Sequence, residues 1–179
     1  MKARSAIVLM LAIIACAVPS WASTLPASCG DANTVIEVTT HRHAPPSTTP
    51  EAGMAKVVFI EQADAEAAPV TARVAIDGTW LGGDRGNSYF ESAVLPGDHH
   101  ICVDWQLERR MIKDDPQFDG FHAEAGHAYY FRIHILWAPY YGPAPYGEPR
   151  MKLSLMPLNE DEGQYLVQNL KLSTSRQKK

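Results

Sequence analysis

The sequence predicts an all-β protein: a β-sandwich of about seven or eight mostly antiparallel strands with one short C-terminal helix. Three observations predict it. Short runs of alternating apolar residues recur along the chain, glycine-based turn signals separate them, and only one stretch near the C-terminus has helical spacing. A βαβ sheet would need helices between successive strands, and the sequence offers none.

The 179 residues, 46% of them apolar, suit one globular domain. The formal net charge is −4. No basic excess is available to neutralise phosphates, so nucleic acid is not expected as a partner.

The chain starts Met1-Lys2-Ala3-Arg4-Ser5, a short positive stretch, followed by the apolar run Ala6 to Ala15. This is the pattern of a secretion signal, and the run is shorter than the roughly 20 apolar residues of a spanning helix. Two processing routes compete. Ser20-Trp21-Ala22 places small residues where a signal peptidase reads, giving cleavage between Ala22 and Ser23. Ile13-Ile14-Ala15-Cys16 also resembles a lipobox, which would lipidate Cys16 and tether the protein to a membrane. The first route is preferred, because Ile13 stands where a lipobox carries Leu and Pro19 suits the longer leader. Either way Cys29 and Cys102 remain as an even pair in an oxidising compartment, which predicts a disulfide.

Thr39 to Gly53 is rich in Thr, Ser, Pro and His and reads as an extended arm, with Thr34 to Val38 before it as an added edge strand. Lys56 to Glu61 is an apolar, β-branched strand, and Val70 to Ile76 alternates as a half-buried one. Asp77-Gly78 then turns the chain into Thr79-Trp80-Leu81, because both turn positions tolerate positive φ. Gly82-Gly83 and Gly86-Asn87 mark the next turn before strand Ser88 to Leu95. Pro96-Gly97-Asp98 leads into His99 to Gln106, and a polar break covers Arg109 to Gln117. Phe121 to Glu124 and the turn Ala125-Gly126-His127 precede Tyr129 to Trp137, the most β-prone stretch. Ala138 to Pro149 reads as a long Pro/Gly/Tyr loop and Lys152 to Met156 as the last strand. Asn159 with Glu162 has capping-box spacing for a helix whose apolar side is Tyr165, Leu166 and Leu170. The expected organisation is a signal peptide (1–22), an N-terminal arm (23–54), a sandwich domain (55–173) and a polar tail (174–179).

The segments AKVVFIE, VAIDGTWLG, GNSYFESAVLPGDHHICVDW, FHAEAGHAYYFRIHI and LMPLNEDEGQYLVQNLKLS resemble, in that order, the exported bacterial family DUF2846, over about Ala55 to Ser173. Asn87-Ser88-Tyr89-Phe90, Leu95-Pro96-Gly97-Asp98-His99, Ala125 to Tyr130 and Asp161-Glu162-Gly163 are the most specific pieces. The chain is also similar to PEGA-type envelope modules. The resemblance implies a secreted or lipid-anchored sandwich without established activity and carries no catalytic residues over.

Candidate chemistry is sparse. Of the histidines, His99 and His100 are adjacent and so point to opposite faces of a strand. His100, His122 and His134 would need a shared face to bind one ion, and no metal or cofactor is expected. Asp114-Asp115 with Glu108 reads as a solvated loop, and Glu160-Asp161-Glu162 as charge favoured at a helix N-terminus. Ser88 lacks the context of a nucleophile elbow. The aromatics Phe59, Trp80, Phe90, Trp105, Tyr130 and Phe131 are expected on the inner face. Trp137, Tyr140, Tyr141 and Tyr146 crowd one stiff loop and are the candidate ligand-binding residues. The expected function is a non-enzymatic accessory module binding an unidentified envelope component, touching a membrane only if lipidated at Cys16. The alternatives are a carbohydrate or small-ligand binder using residues 137–149, and a periplasmic hydrolase.

Overall fold

The computed structural model describes residues 25–42, 49–65, 69–107, 110–111, 116–141 and 148–178, apart from the side chains of 110–111, 137–141 and 148–150. Residues 1–24, which include the expected leader with Cys16 and Ala22 and also Ser23, lie outside these residues, as do Glu108, Asp114, Asp115 and Tyr146 and the side chains of Trp137, Tyr140 and Tyr141.

Alternating apolar residues and turn signals build β1 (Val35–His41), β2 (Ala55–Ala63), β3 (Val70–Ile76), β4 (Thr79–Arg85), β5 (Ser88–Val94), β6 (Gly97–Leu107), β7 (Arg110–Met111), β8 (Gln117–Ala123), β9 (Ala128–Tyr141), β10 (Glu148–Leu158) and β11 (Lys171–Lys178), with one helix, α1 (Glu160–Val167). The excess over the seven or eight strands expected comes from the edge strand β1, the two-residue β7 and the C-terminal β11. The first sheet has the order β1-β11-β5-β2-β9-β10. The second runs β4-β3-β6-β7, with β8 also on β6. Pairing is antiparallel except for β11 with β5 and β2 with β9.

The two sheets close over one apolar interior. Val57 and Phe59 of β2 and Phe131, Ile133 and Ile135 of β9 meet Ala72 and Val74 of β3 and Ile101, Val103 and Trp105 of β6. Phe59 stacks between Phe90 and Phe131, with ring centroids 5.2 and 5.7 Å away. The alternate residues are covered too. Val58, Ile60, Tyr89 and Tyr130 pack with Val167 of α1 outside the first sheet. Outside the second sheet, Ala75, Trp80 and Cys102 pack with Cys29 and Ile36. Trp80 and Tyr130 therefore sit on outer faces, not in the central core expected of them. The N-terminal segment also explains why β3, expected to be half-buried, is buried at every position.

Cys29 and Cys102 form the predicted disulfide, 73 residues apart. Asp77 and Gly78 both have positive φ (50° and 79°), as the hairpin signal required. Gly82 and Gly83 belong to β4, and the turn is Gly86-Asn87 alone. A side chain at Gly83 would run into the Ala72 carbonyl of the neighbouring strand, and one at Gly82 into the Ser175 hydroxyl of β11. Strand structure claims both ends of the expected 138–149 loop, because β9 continues to Tyr141 and β10 begins at Glu148. At α1, Asn159 makes no side-chain cap bond, so the capping box does not form; the acidic first turn is present.

Candidate functional site

The apolar alternation of β2 brings Val57 and Phe59 inward, and the same phase carries Glu61 inward behind them. From the facing sheet, Asp84 of β4 pairs with inward-facing Ala72 and so also points inside. Ser88 opens β5, and Ser173 of β11 is drawn alongside by the parallel pairing. Glu61, Asp84 and Ser88 are all 0% exposed and Ser173 is 4% exposed.

Each carboxyl is half satisfied. The Gly86 amide donates to Glu61 Oε1 at 3.1 Å, and the Ala72 backbone bonds Glu61 as well. Ser88 Oγ lies 3.3 Å from Asp84 Oδ1 and 2.6 Å from Ser173 Oγ. Glu61 Oε2 and Asp84 Oδ2 have no partner among the described residues. Burial pushes the Glu61 pKa up to about 8, outweighing the Gly86 and Ala72 amides and the Arg85 charge. Burial, then the nearby Glu61, push Asp84 well above the usual carboxylate range against the pull of the two serines. Loss of hydration penalises the charged form of a sealed acid, so Glu61 keeps its proton at neutral pH and Asp84 is pushed in the same direction. The pair can store a proton, but it cannot touch a solute.

A groove of about 440 Å³ opens on the other side of the Gly86 turn, lined by Val38, Thr39, Thr40, Arg85 and Gly86. Its β1 wall has a defined orientation. The Ile36 N–H donates to Gln106 Oε1 at 3.0 Å, and Gln106 Nε2 donates to the Ile36 carbonyl at 2.6 Å. Ile36 therefore turns its backbone polar groups away from β11. Thr39 does the opposite: its carbonyl accepts from Thr174 Oγ1 of β11. By the alternation of an antiparallel ladder, Val38 and Thr40 turn their N–H and C=O groups to the open side, as Ile36 does. The Arg85 guanidinium stands half-buried beside them without an ion-pair or hydrogen-bond partner among the described residues.

The histidines do not come together as one ligand set. His100 and His122 lie on the second sheet, and His134 lies on β9 of the first, so the three share no face. Among the described residues no group of three His, Cys, Asp or Glu is placed to hold a metal. His99 Nδ1 is 2.7 Å from Asp77 Oδ2. Burial lowers the His99 pKa, but the Asp77 bond and the Leu95 carbonyl outweigh it and hold it above the ordinary value. No helix among the described residues is long and apolar enough to cross a membrane.

Glu61, Asp84, Ser173, Arg85 and Gln106 escaped the sequence reading. For Glu61 a signal existed, since it stands in phase with Val57 and Phe59. Asp84 offered none: two glycines before it and a turn after it read as a loop. Comparison with protein-family models, with curated proteins and with solved structures finds no match.

Proposed function

We propose that the chain is an exported, non-enzymatic sandwich module of the cell envelope, and that the groove between β1 and the Gly86 turn is its contact surface. The observation that carries this reading is a separation of roles. Among the described residues, the one cluster of strongly perturbed acids is sealed inside the sandwich, whereas the accessible groove holds an open strand edge and an unpaired cation. A catalytic acid must reach the reacting atoms, and Glu61 and Asp84 do not reach the surface. The Cys29–Cys102 bond fits an oxidising compartment, and the apolar leader supplies the route to it. The resemblance to DUF2846 agrees with such a module and rests on the motifs quoted above.

Two measurements test the reading. The intact mass of the native protein should show a chain without its leader and the two-hydrogen deficit of one disulfide. A photo-crosslinking amino acid at Thr39, exposed beside the groove, should give a discrete adduct with an envelope component in living cells. The same group at Tyr165, exposed on α1, should not. Equal labelling from both positions, or none from Thr39, would refute the proposal.

A further inference from the structure

The groove is bounded by a strand whose outward hydrogen-bonding groups stop being matched partway along. At Ile36, the Gln106 carboxamide satisfies one N–H and one C=O of β1, as a neighbouring strand would. Beyond it, Val38 and Thr40 present the next two sets of the same ladder with no partner among the described residues. An edge of this kind is a template for another strand. Its backbone pattern sets the spacing of what it accepts, one bonded residue in every two.

The opposite wall adds chemistry. Arg85 is half-buried, so its charge is partly desolvated, and it has no ion-pair partner among the described residues. None of the described residues lining the groove is acidic. The carboxyl that feels Arg85 is that of Glu61, which is sealed behind the Gly86 amide and protonated at neutral pH. A guanidinium in this setting selects a carboxylate brought by the ligand, with two-pronged geometry.

We infer that the groove takes an extended peptide that adds as a strand to the Val38–Thr40 edge of β1 and sets an acidic side chain against Arg85. This deepens the proposed function and rests on its reading of the groove. Main-chain bonds to Val38 and Thr40 supply sequence-tolerant affinity, and Arg85 supplies the selection, the division of labour usual in strand addition. A second copy of this chain is a poorer occupant. Self-pairing of β1 brings two Arg85 groups to one interface, where the one carboxylate of β1, that of Glu37, is already paired with Arg176 and Lys178.

The test uses the oxidised mature protein and an array of seven-residue peptides, β-branched at alternate positions, with Glu, Gln or Lys at the centre. Glu-centred peptides should be retained about tenfold over Lys-centred ones. The best binder is then measured in solution by fluorescence anisotropy. Alternate backbone N-methylation of the peptide should weaken it about tenfold or more, and so should Thr40→Pro, which removes an outward N–H and leaves the β11 ladder intact. Val38→Pro, which acts on the same edge at a second position, should do likewise. Arg85→Gln should weaken Glu-centred peptides about fivefold and leave Gln-centred ones unchanged. Near-ultraviolet circular dichroism confirms that each variant is folded.

The inference is overturned if no peptide is retained at about 1 mM, or if N-methylation and both proline variants leave affinity unchanged. It is equally overturned if the protein dimerises and Thr40→Pro abolishes the dimer, which assigns the edge to a second copy. If the peptides fail while Thr39 still cross-links to an envelope component, strand addition falls and the groove reading survives. Failure of both removes both.

Discussion

At the scale of single residues, Glu61 and Asp84 pose a problem of charge. An ionised carboxylate costs several kcal/mol to bury without full hydrogen bonding, and each of these has an oxygen with no partner among the described residues. Keeping the proton avoids the cost, and the Glu61 pKa of about 8 against an ordinary value of 4.5 expresses it. The sign of the resulting pH dependence is fixed. The folded state holds a proton that the unfolded chain releases above about pH 4.5, so stability is greatest below that value. It falls as pH rises and stops falling only near pH 8, once the folded state has also lost the proton. The loss attributable to Glu61 is about 5 kcal/mol across that window. Glu61→Gln keeps shape and polarity but has no proton to lose. Its melting temperature should fall less steeply from pH 5 to 8 than that of the unaltered protein, the remaining slope coming from Asp84, which burial also pushes up, and at pH 8 it should exceed that of the unaltered protein. Parallel pH profiles for the two proteins would show that Glu61 is solvated after all.

At the scale of elements, β11 is the instructive case. Lys171 to Lys178 reads LSTSRQ between two lysines, and its side chains are mostly exposed. No periodicity marks it, because its place in the fold is fixed by backbone pairing on both sides and not by an apolar face. It pairs with all of β1 from Val35↔Lys178 to His41↔Leu172, and with β5 at Ser88 and Tyr89. The strands that were legible, β2, β3, β6 and β9, carry runs of Val, Ile and Phe that bury themselves. The Asp77-Gly78 turn was legible because its chemistry is local. β11 depends on partners far away in sequence, and so do Asp84 and the open edge of β1, which is why none of them could be read from the chain. Ending the chain at Leu170 should therefore remove a sheet-completing strand and leave β1 unpaired, with loss of the cooperative melting transition. A merely polar tail would be dispensable, and an unchanged melting temperature would show that it is. Helix α1 makes a sharper claim. Gly163 lies against Tyr130 so closely that a Cβ would fall within the Tyr130 side chain. The gain in helix propensity from Gly163→Ala is about 1 kcal/mol, but overpacking costs about 1–3 kcal/mol and should win. The variant should melt lower by several degrees. A higher melting temperature would show that α1 can lift off the sheet at little cost.

At the scale of the molecule, the decisive question is whether the N-terminal segment is an appendage or a fourth layer. A boundary near residue 54 would make residues 25–36 a detachable arm. The contacts argue otherwise, since several independent ties cross the outer face of the second sheet. The disulfide joins Cys29 to β6. Gly78 N–H donates to the Ser28 carbonyl, and Trp80 Nε1 donates to the Asp31 carbonyl, both at 2.9 Å. Arg73 is ion-paired with Asp104 at 1% exposure, lies 4.2 Å over the Trp80 ring, and donates to the Thr34 carbonyl at 2.6 Å. Removing the segment would uncover that ion pair and the apolar floor of Ala75 and Cys102, surfaces that this layer covers. The disulfide closes a loop of about 70 residues in the unfolded chain, a contribution of about 4 kcal/mol in the chain-entropy account. Cys29→Ser with Cys102→Ser should therefore lower stability by about 4 kcal/mol and leave one transition, because the hydrogen bonds still register the segment on the sheet. Deleting residues through Asn33 should cost more than the disulfide alone, since it also strips the cover from Arg73, Asp104 and Trp80. Denaturant unfolding followed by tryptophan fluorescence and by far-ultraviolet circular dichroism separates the cases. Coincident transitions in the cysteine variant, and a larger loss in the deletion, place the segment within the cooperative unit. If the deletion unfolds with the same midpoint as the cysteine variant, the segment contributes only through its covalent bond, and the boundary near residue 54 is physical.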